Sequence, residues 1–280
     1  MKRLSALFIV FLIAAKVFAG GDFASVNDVA SKLMNPKCVI IDARTEKEYK
    51  EVHIRNAVNI PITELSSKEP IDGMLKSKEE IAKIFSENGV SPDKEIYIYC
   101  TKGNSAGRMY WILKMMGAQN VKLIDGNLDA WKDSRKPVTK NPTMVKAANF
   151  PAKLDTKTLL SADDVKAKMS SSSVVLVDAR EDAYFNGTDP KSNGHIKGAV
   201  SISSDLMKDE KGLLKSADEL KKLFESKGVS KEKEVVLYCQ SSTRAGLLFT
   251  VLTSVLDYSN VKVYDGAYNE WVAKGNTVVK

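Results

Sequence analysis

Three cysteines and two histidines are few for a chain of 280 residues, and their scarcity limits the chemistry available. A disulfide framework needs a dense, even set of cysteines, whereas three allow either one pair with a spare thiol or three free thiols. With only two histidines, a zinc site or a cysteine–histidine dyad in more than one place would have to draw on both. Long hydrophobic runs are equally scarce. The apolar run from Leu4 to Ala15 covers 12 residues, well short of the roughly 20 that span a bilayer. With 44% hydrophobic and 28% charged residues, 16 Gly and 8 Pro, the composition excludes a disordered tail, a collagen-like repeat and a multi-span membrane protein.

Positive charge is in modest excess, at a formal +7. Part of it belongs to the amino terminus. Met1-Lys2-Arg3, the apolar run and the small-residue end Val17-Phe18-Ala19 have the three-part form of a secretory signal peptide over residues 1–19, cleaved between Ala19 and Gly20. The chain is therefore expected to be exported and periplasmic, with no stable membrane span after cleavage. The absence of a Cys after the cleavage point argues against a lipid-anchored start. Removing Lys2, Arg3 and Lys16 from 42 basic residues leaves 39 against 35 acidic ones, a net charge of +4. That excess is scattered among glutamates and too diffuse for a nucleic-acid footprint, so no nucleic-acid partner is expected.

A duplication organises the rest. Cys38-Val39-Ile40-Ile41-Asp42-Ala43-Arg44 recurs as Val174-Val175-Leu176-Val177-Asp178-Ala179-Arg180, and His53-Ile54 with Ala57-Val58 recurs as His195-Ile196 with Ala199-Val200. Ile96 to Cys100 recurs as Val235 to Cys239, and Asp125-Gly126 with Trp131 as Asp265-Gly266 with Trp271. The four offsets, 136, 142, 139 and 140 residues, are far longer than a solenoid period and mark two copies of one domain. The copies run from about Phe23 to Trp131 and from about Leu159 to Trp271. We divide the mature chain into a first domain (20–136), a linker (137–155) carrying Pro137, Pro142 and Pro151, and a second domain (156–280).

Within each copy, short β-branched or aromatic runs such as Val39 to Ile41 and Ile96 to Ile98 alternate with helical patterns. Ser77 with Glu80 and Ser216 with Glu219 form capping boxes ahead of apolar stripes that end at Gly89 and Gly228, and Ser25 with Asp28 and Ser161 with Asp164 open another helix pair. This alternation predicts an α/β fold: two domains, each a mostly parallel sheet flanked by helices on both faces.

Cys100 and Cys239 each close a predicted strand. Each is followed by a polar turn and an amphipathic helix, through Thr101-Lys102-Gly103-Asn104-Ser105 and Gln240-Ser241-Ser242-Thr243-Arg244. Ligands of α/β sheets bind at the carboxyl ends of parallel strands. A helix start there presents unpaired N–H groups and positive potential, which favour a thiolate or an anionic ligand. A cysteine so placed is expected to have a lowered pKa and to be nucleophilic. The competing reading is a buried structural thiol; its recurrence at equivalent positions favours function. Cys38 starts its strand instead, roughly 15 Å along the sheet from Cys100 at ~3.3 Å per residue. That exceeds the ~7 Å limit for a disulfide, so Cys38 is expected to be a small core residue.

The order Asp-Ala-Arg, His-Ile-x-x-Ala-Val, a strand ending in Tyr-Cys, and Asp-Gly with a following Trp resembles the rhodanese (sulfurtransferase) family, here as a tandem pair covering nearly the whole mature chain. Gly187-Thr188-Asp189-Pro190 ahead of Gly194-His195-Ile196 is similar to the second domain of thiosulfate and 3-mercaptopyruvate sulfurtransferases. The resemblance implies an enzyme in which a cysteine thiolate takes a sulfane sulfur from a small anionic donor, carries it as a persulfide and yields it to a thiol or cyanide. It implies no metal and no organic cofactor, and makes His53 and His195 structural. Gln240, Ser241, Ser242, Thr243 and Arg244 would bind the donor around Cys239, and Lys102 and Gly103 around Cys100. Lys197 stands where thiosulfate-type relatives can project a cation.

Phosphatases of related fold have Arg six positions after Cys, but positions 106 and 245 are Ala, whereas Arg244 lies five after Cys239. The resemblance therefore points to sulfur chemistry rather than phosphate. Ser105 stands in the first loop where the second has Arg244, so Cys239 ranks first. Asn186 occupies a position where mercaptopyruvate enzymes tend to carry Arg, which favours thiosulfate or polysulfide as donor. The alternative is a periplasmic sulfur carrier serving a partner reductase, a sulfur-accepting protein; a silent rhodanese pair is disfavoured by two intact cysteine loops.

Overall fold

The computed structural model describes residues 21–280, and the expected signal segment lies outside them. The first domain contains β1 (Phe23–Ala24), α1 (Val26–Ser31), β2 (Cys38–Asp42), α2 (Glu46–Glu51), β3 (His53–Ile54), β4 (Ala57–Asn59), α3 (Lys78–Glu87), β5 (Glu95–Tyr99), α4 (Asn104–Met115), β6 (Val121–Ile124), α5 (Asn127–Asp133) and β7 (Val138–Thr139). The second contains β8 (Leu159–Leu160), α6 (Ala162–Lys168), β9 (Val174–Asp178), α7 (Asp182–Phe185), β10 (His195–Ile196), β11 (Val200–Ser201), α8 (Ala217–Ser226), β12 (Glu234–Tyr238), α9 (Thr243–Thr250), β13 (Val261–Tyr264), α10 (Ala267–Ala273) and β14 (Val278–Val279).

Each domain has a five-stranded sheet, in the orders β1-β6-β5-β2-β4 and β8-β13-β12-β9-β11. All pairings within these two sheets are parallel. The fold is thus the α/β sandwich pair that the alternation predicts. Two small antiparallel ribbons, β3 with β7 and β10 with β14, close the side of each domain.

Alternation along the strands decides what faces what. Val39, Ile41, Ile96 and Ile98, with Val175, Val177, Val235 and Leu237, belong to one continuous core that also holds α4 and α9 and joins the domains. The opposite faces, Ile40, Tyr97 and Tyr99 or Leu176, Val236 and Tyr238, pack into cores private to each domain. The capping boxes at Ser77 and Ser216 form as the pattern predicts, as do the caps at Ser25 and Ser161. Residues 140–155 lie along the first domain. Phe150 packs on Phe85 with ring centroids 4.9 Å apart, and the Asp155 N–H donates to the Met115 carbonyl at 2.8 Å.

Candidate functional site

The register places both loops at the carboxyl ends of central strands. Asp42 pairs with Tyr99 and Asp178 with Tyr238, so Cys100 and Cys239 are each the first residue beyond a fully paired strand. Cys38 is opposite Glu95, at the far end of the same ladder, which keeps it away from Cys100. All three thiols are free, and Cys38 is half-buried against the first domain's private core.

In the first loop the Gly103 N–H donates to Cys100 Sγ at 3.0 Å, and the Cys100 N–H is held by Asn127 Oδ1 at 3.0 Å. Gly103 has φ +89°, the left-handed turn that lets α4 begin directly over the sulfur. Burial nevertheless pushes the Cys100 thiol above its ordinary value, against the opposing pull of the Ala106, Gly103, Lys102 and Ser105 N–H groups. The expectation of a lowered pKa is therefore corrected for this cysteine: loss of water around the sulfur outweighs the helix start. A cavity of about 290 Å³ opens onto the loop, lined by Ala43, Arg44, Thr45, Cys100, Lys102 and Ser105 among others.

The second loop repeats the turn with a serine. Ser242 has φ +61° and is fully buried. Its hydroxyl lies 2.6 Å from the Tyr264 carbonyl and 2.7 Å from that of Asp265, sharing one proton between them. Those contacts offset the cost of a β-carbon in the left-handed region. Arg244 donates its backbone N–H to Cys239 Sγ at 3.3 Å. Its guanidinium is turned to Glu181, with Nη2 2.9 Å from Oε1. Gln240 bridges the loop to α10, donating from Nε2 to Asn269 Oδ1 at 2.6 Å. Thr243 Oγ1 lies 3.5 Å from Ser241 Oγ.

The repeated Asp-Ala-Arg motifs brace the strand ends. Arg44 binds Asp42 at 2.6 Å and donates to the Val52 carbonyl, while Arg180 binds Asp178 at 2.7 Å and the Gly194 carbonyl at 2.8 Å. Arg180 also lies over the Tyr268 ring, 3.9 Å from its centroid. His53 stacks on Tyr49 and His195 on Phe185, at 3.6 and 3.7 Å between centroids, with ring nitrogens on the Tyr49, Asn141 and Phe185 carbonyls. These contacts knit the side ribbon to the helix before it.

The sequence reading brought Gln240, Ser241, Ser242, Thr243 and Arg244 together around Cys239, and Lys102 and Gly103 around Cys100, as the structure does. Lys197 is exposed in the turn that leads into β11, and among the described residues it is not brought into either loop. Three residues were missed: Glu181, Lys208 and Arg108. Arg108 carried a readable signal, a lone charge within the apolar stretch Ala106 to Leu113, yet it touches the opposite domain's loop. The Arg108 guanidinium donates to the carbonyls of Ser241 and Gly73 and lies 3.2 Å from Asp265 Oδ1.

The model of the Rhodanese-like domain family matches residues 25–134 and 161–274. The chain is 31% identical over 282 residues to the 3-mercaptopyruvate sulfurtransferase of Escherichia coli (strain K12), covering 94% of this chain and 97% of that one. It is 27% identical over 270 residues to the thiosulfate sulfurtransferase of Azotobacter vinelandii, covering 92% and 99%. Among solved structures, SseA from Escherichia coli, described as a 3-mercaptopyruvate sulfotransferase with the rhodanese fold, aligns with a TM-score of 0.81. That alignment has 30% identity and covers 89% of this chain and 99% of SseA.

Proposed function

The chain belongs to the rhodanese-like domain family, as a tandem pair, and is a sulfurtransferase; from that premise we propose that the sulfur travels through Cys239, with thiosulfate or a polysulfide as donor. The observation that carries this reading is the loop itself: Cys239 directly follows β12, precedes the start of α9 and accepts the Arg244 N–H at 3.3 Å. The thiolate attacks the outer sulfur of thiosulfate. The bond between the two donor sulfurs breaks, sulfite leaves with its electron pair, and Cys239 holds a persulfide anion. Cyanide or a thiolate then attacks the terminal sulfur, takes it as thiocyanate or a new persulfide, and returns the Cys239 thiolate. N–H groups of the turn and the positive start of α9 stabilise the anionic sulfur in each state.

The preference for thiosulfate or polysulfide over mercaptopyruvate is supported by the arginines near Cys239. Arg180 is buried on Asp178 and Arg108 is buried on Asp265, so Arg244 is the one of these three with substantial exposure. A planar carboxylate is best held by a free guanidinium fork, and here the accessible one is already turned to Glu181. Cys100, with its own turn and cavity, is a second sulfur-accepting position in this reading. The start of the chain supports an exported, periplasmic location.

Intact-mass measurement tests the assignment. After incubation with thiosulfate, the protein should gain the mass of one sulfur on Cys239, lose it to cyanide as thiocyanate, and fail to gain it there in Cys239→Ser. Absence of sulfur on either loop cysteine would sink the reading. Retention against cyanide with release to a protein acceptor would favour a sulfur carrier.

A further inference from the structure

Both nucleophile loops are gripped from across the domain boundary at the same point. In the second loop the carbonyl of Ser241, two residues after Cys239, accepts Arg108 Nη1 from α4 of the first domain. In the first loop the carbonyl of Lys102, two residues after Cys100, accepts Lys208 Nζ from the second domain at 2.6 Å. The two carbonyls are equivalent under the 139-residue repeat of the cysteine strands, but the two cations are not. Position 247, the counterpart of Arg108, is Leu, and the counterpart of Lys208, which like it ends a short 3-10 turn and bridges to a leucine, is Ser66. Different side chains on different elements therefore make the same contact.

The contact matters because of the peptide that follows. In a trans peptide the carbonyl and the next N–H point in opposite directions. After Lys102 that N–H belongs to Gly103, which donates to Cys100 Sγ at 3.0 Å; after Ser241 it belongs to Ser242. Holding the carbonyl outward thus fixes the N–H inward. Arg108 is 1% exposed and has further partners in the Gly73 carbonyl and in Asp265 Oδ1 at 3.2 Å. The covering loop is equally engaged: Asn269 Nδ2 donates to the Asp72 carbonyl at 2.9 Å and the Leu75 N–H to Asp265 Oδ2 at 2.9 Å.

We propose that each cysteine loop is set in its sulfur-binding shape by a cation of the opposite domain, with Arg108 the positioning residue for Cys239 and Lys208 the positioning residue for Cys100. The inference rests on the reading of both cysteines as sulfur acceptors. The other charged groups around Cys239 are Asp72 and Asp265 beside Arg108, Arg244 with Glu181, and Arg180 with Asp178. Around Cys100 they are Asp205 beside Lys208, Lys102, Glu48 and Arg44 with Asp42.

The crossed arrangement supplies its own control. Alkylation by iodoacetamide is followed against pH, site by site, in Cys100→Ser and Cys239→Ser backgrounds, together with sulfur loading from thiosulfate. Arg108→Met should move the Cys239 profile upward by about one pH unit and slow loading there about tenfold at neutral pH, leaving the Cys100 profile in place. Lys208→Met should do the reverse, and Arg108→Lys should recover part of the Cys239 effect. If Arg108 only stabilises its own domain, its loss will disturb Cys100 at least as much, and that result overturns the proposal. Should Arg108→Met not fold, the Lys208→Met and Arg108→Lys profiles decide, and unshifted profiles in both overturn it. Failure of the parent Cys→Ser backgrounds to load any sulfur would instead refute the proposed function.

Discussion

Gly107 of α4 and Gly246 of α9 meet where the two helices cross: a Cβ on Gly107 would lie 2.5 Å from the Leu247 backbone, and one on Gly246 2.5 Å from the Arg108 backbone. The missing side chains let the helices that begin at the two cysteine loops touch directly. Arg108 leaves α4 at this crossing, which is how a first-domain side chain reaches a second-domain loop.

Replacing either glycine by alanine should therefore force the helices apart. Because the obstructing atoms are backbone, relief needs a shift of a whole helix, and overpacking of this kind costs about 1–3 kcal/mol. Gly246→Ala should lower the thermal midpoint and also shift the Cys239 alkylation profile, by displacing Arg108. An unchanged midpoint in calorimetry would mean the crossing has slack that the contact distances do not suggest.

Ser242 gives an ordered series. Ser242→Ala keeps the β-carbon at φ +61° and removes the hydroxyl from the Tyr264 and Asp265 carbonyls, so it should destabilise by about 1–3 kcal/mol. Ser242→Gly removes the same hydrogen bonding but also the steric cost, and should lose less. Urea unfolding of the three proteins checks the order; a glycine variant less stable than the alanine one would show that the turn carries no strain.

The fold was legible because its signals are local and doubled. Capping serines, apolar strand runs and the two Tyr-Cys strand ends each appear twice, so the mostly parallel sheets and the loop positions followed from the repeat, while the strand order did not. What was not legible lies in contacts over long separations. Arg108 reads as one helical turn beyond Ser105, and nothing nearby in sequence shows that its guanidinium binds the Ser241 carbonyl. Lys208 likewise reads as a surface lysine of a polar loop, yet it is half-buried on the Lys102 carbonyl. The lowered pKa expected of Cys100 failed for a related reason: burial depends on how the chain packs in three dimensions, while the helix start is visible locally.

The three thiols should separate by reactivity. Burial, with Glu95 nearby, pushes Cys38 up to about 11. A thiol raised in this way is protonated at neutral pH and becomes a nucleophile only as pH climbs through that value. Peptide-mapped alkylation from pH 7 to pH 10 should show Cys38 slow throughout and still rising at the alkaline end. Rapid labelling of Cys38 at neutral pH would contradict its placement at the start of β2.

Glu181 should act as a brake on anionic donors. Its Oε1 holds Arg244 Nη2 at 2.9 Å, and its Oε2 is buried without a hydrogen-bond partner among the described residues. A thiosulfate dianion approaching Cys239 must compete with that carboxylate for the guanidinium and also tolerate its charge. The pair is half-exposed, which keeps its strength to about 0.2–1 kcal/mol. Glu181→Gln in a Cys100→Ser background should therefore lower the KM for thiosulfate roughly two- to fivefold, with kcat changed less. The gain should vanish when Arg244→Met is added, because the released guanidinium is what the donor would bind. An unaltered KM, or a gain that survives Arg244→Met, would place the ion pair outside the donor's path.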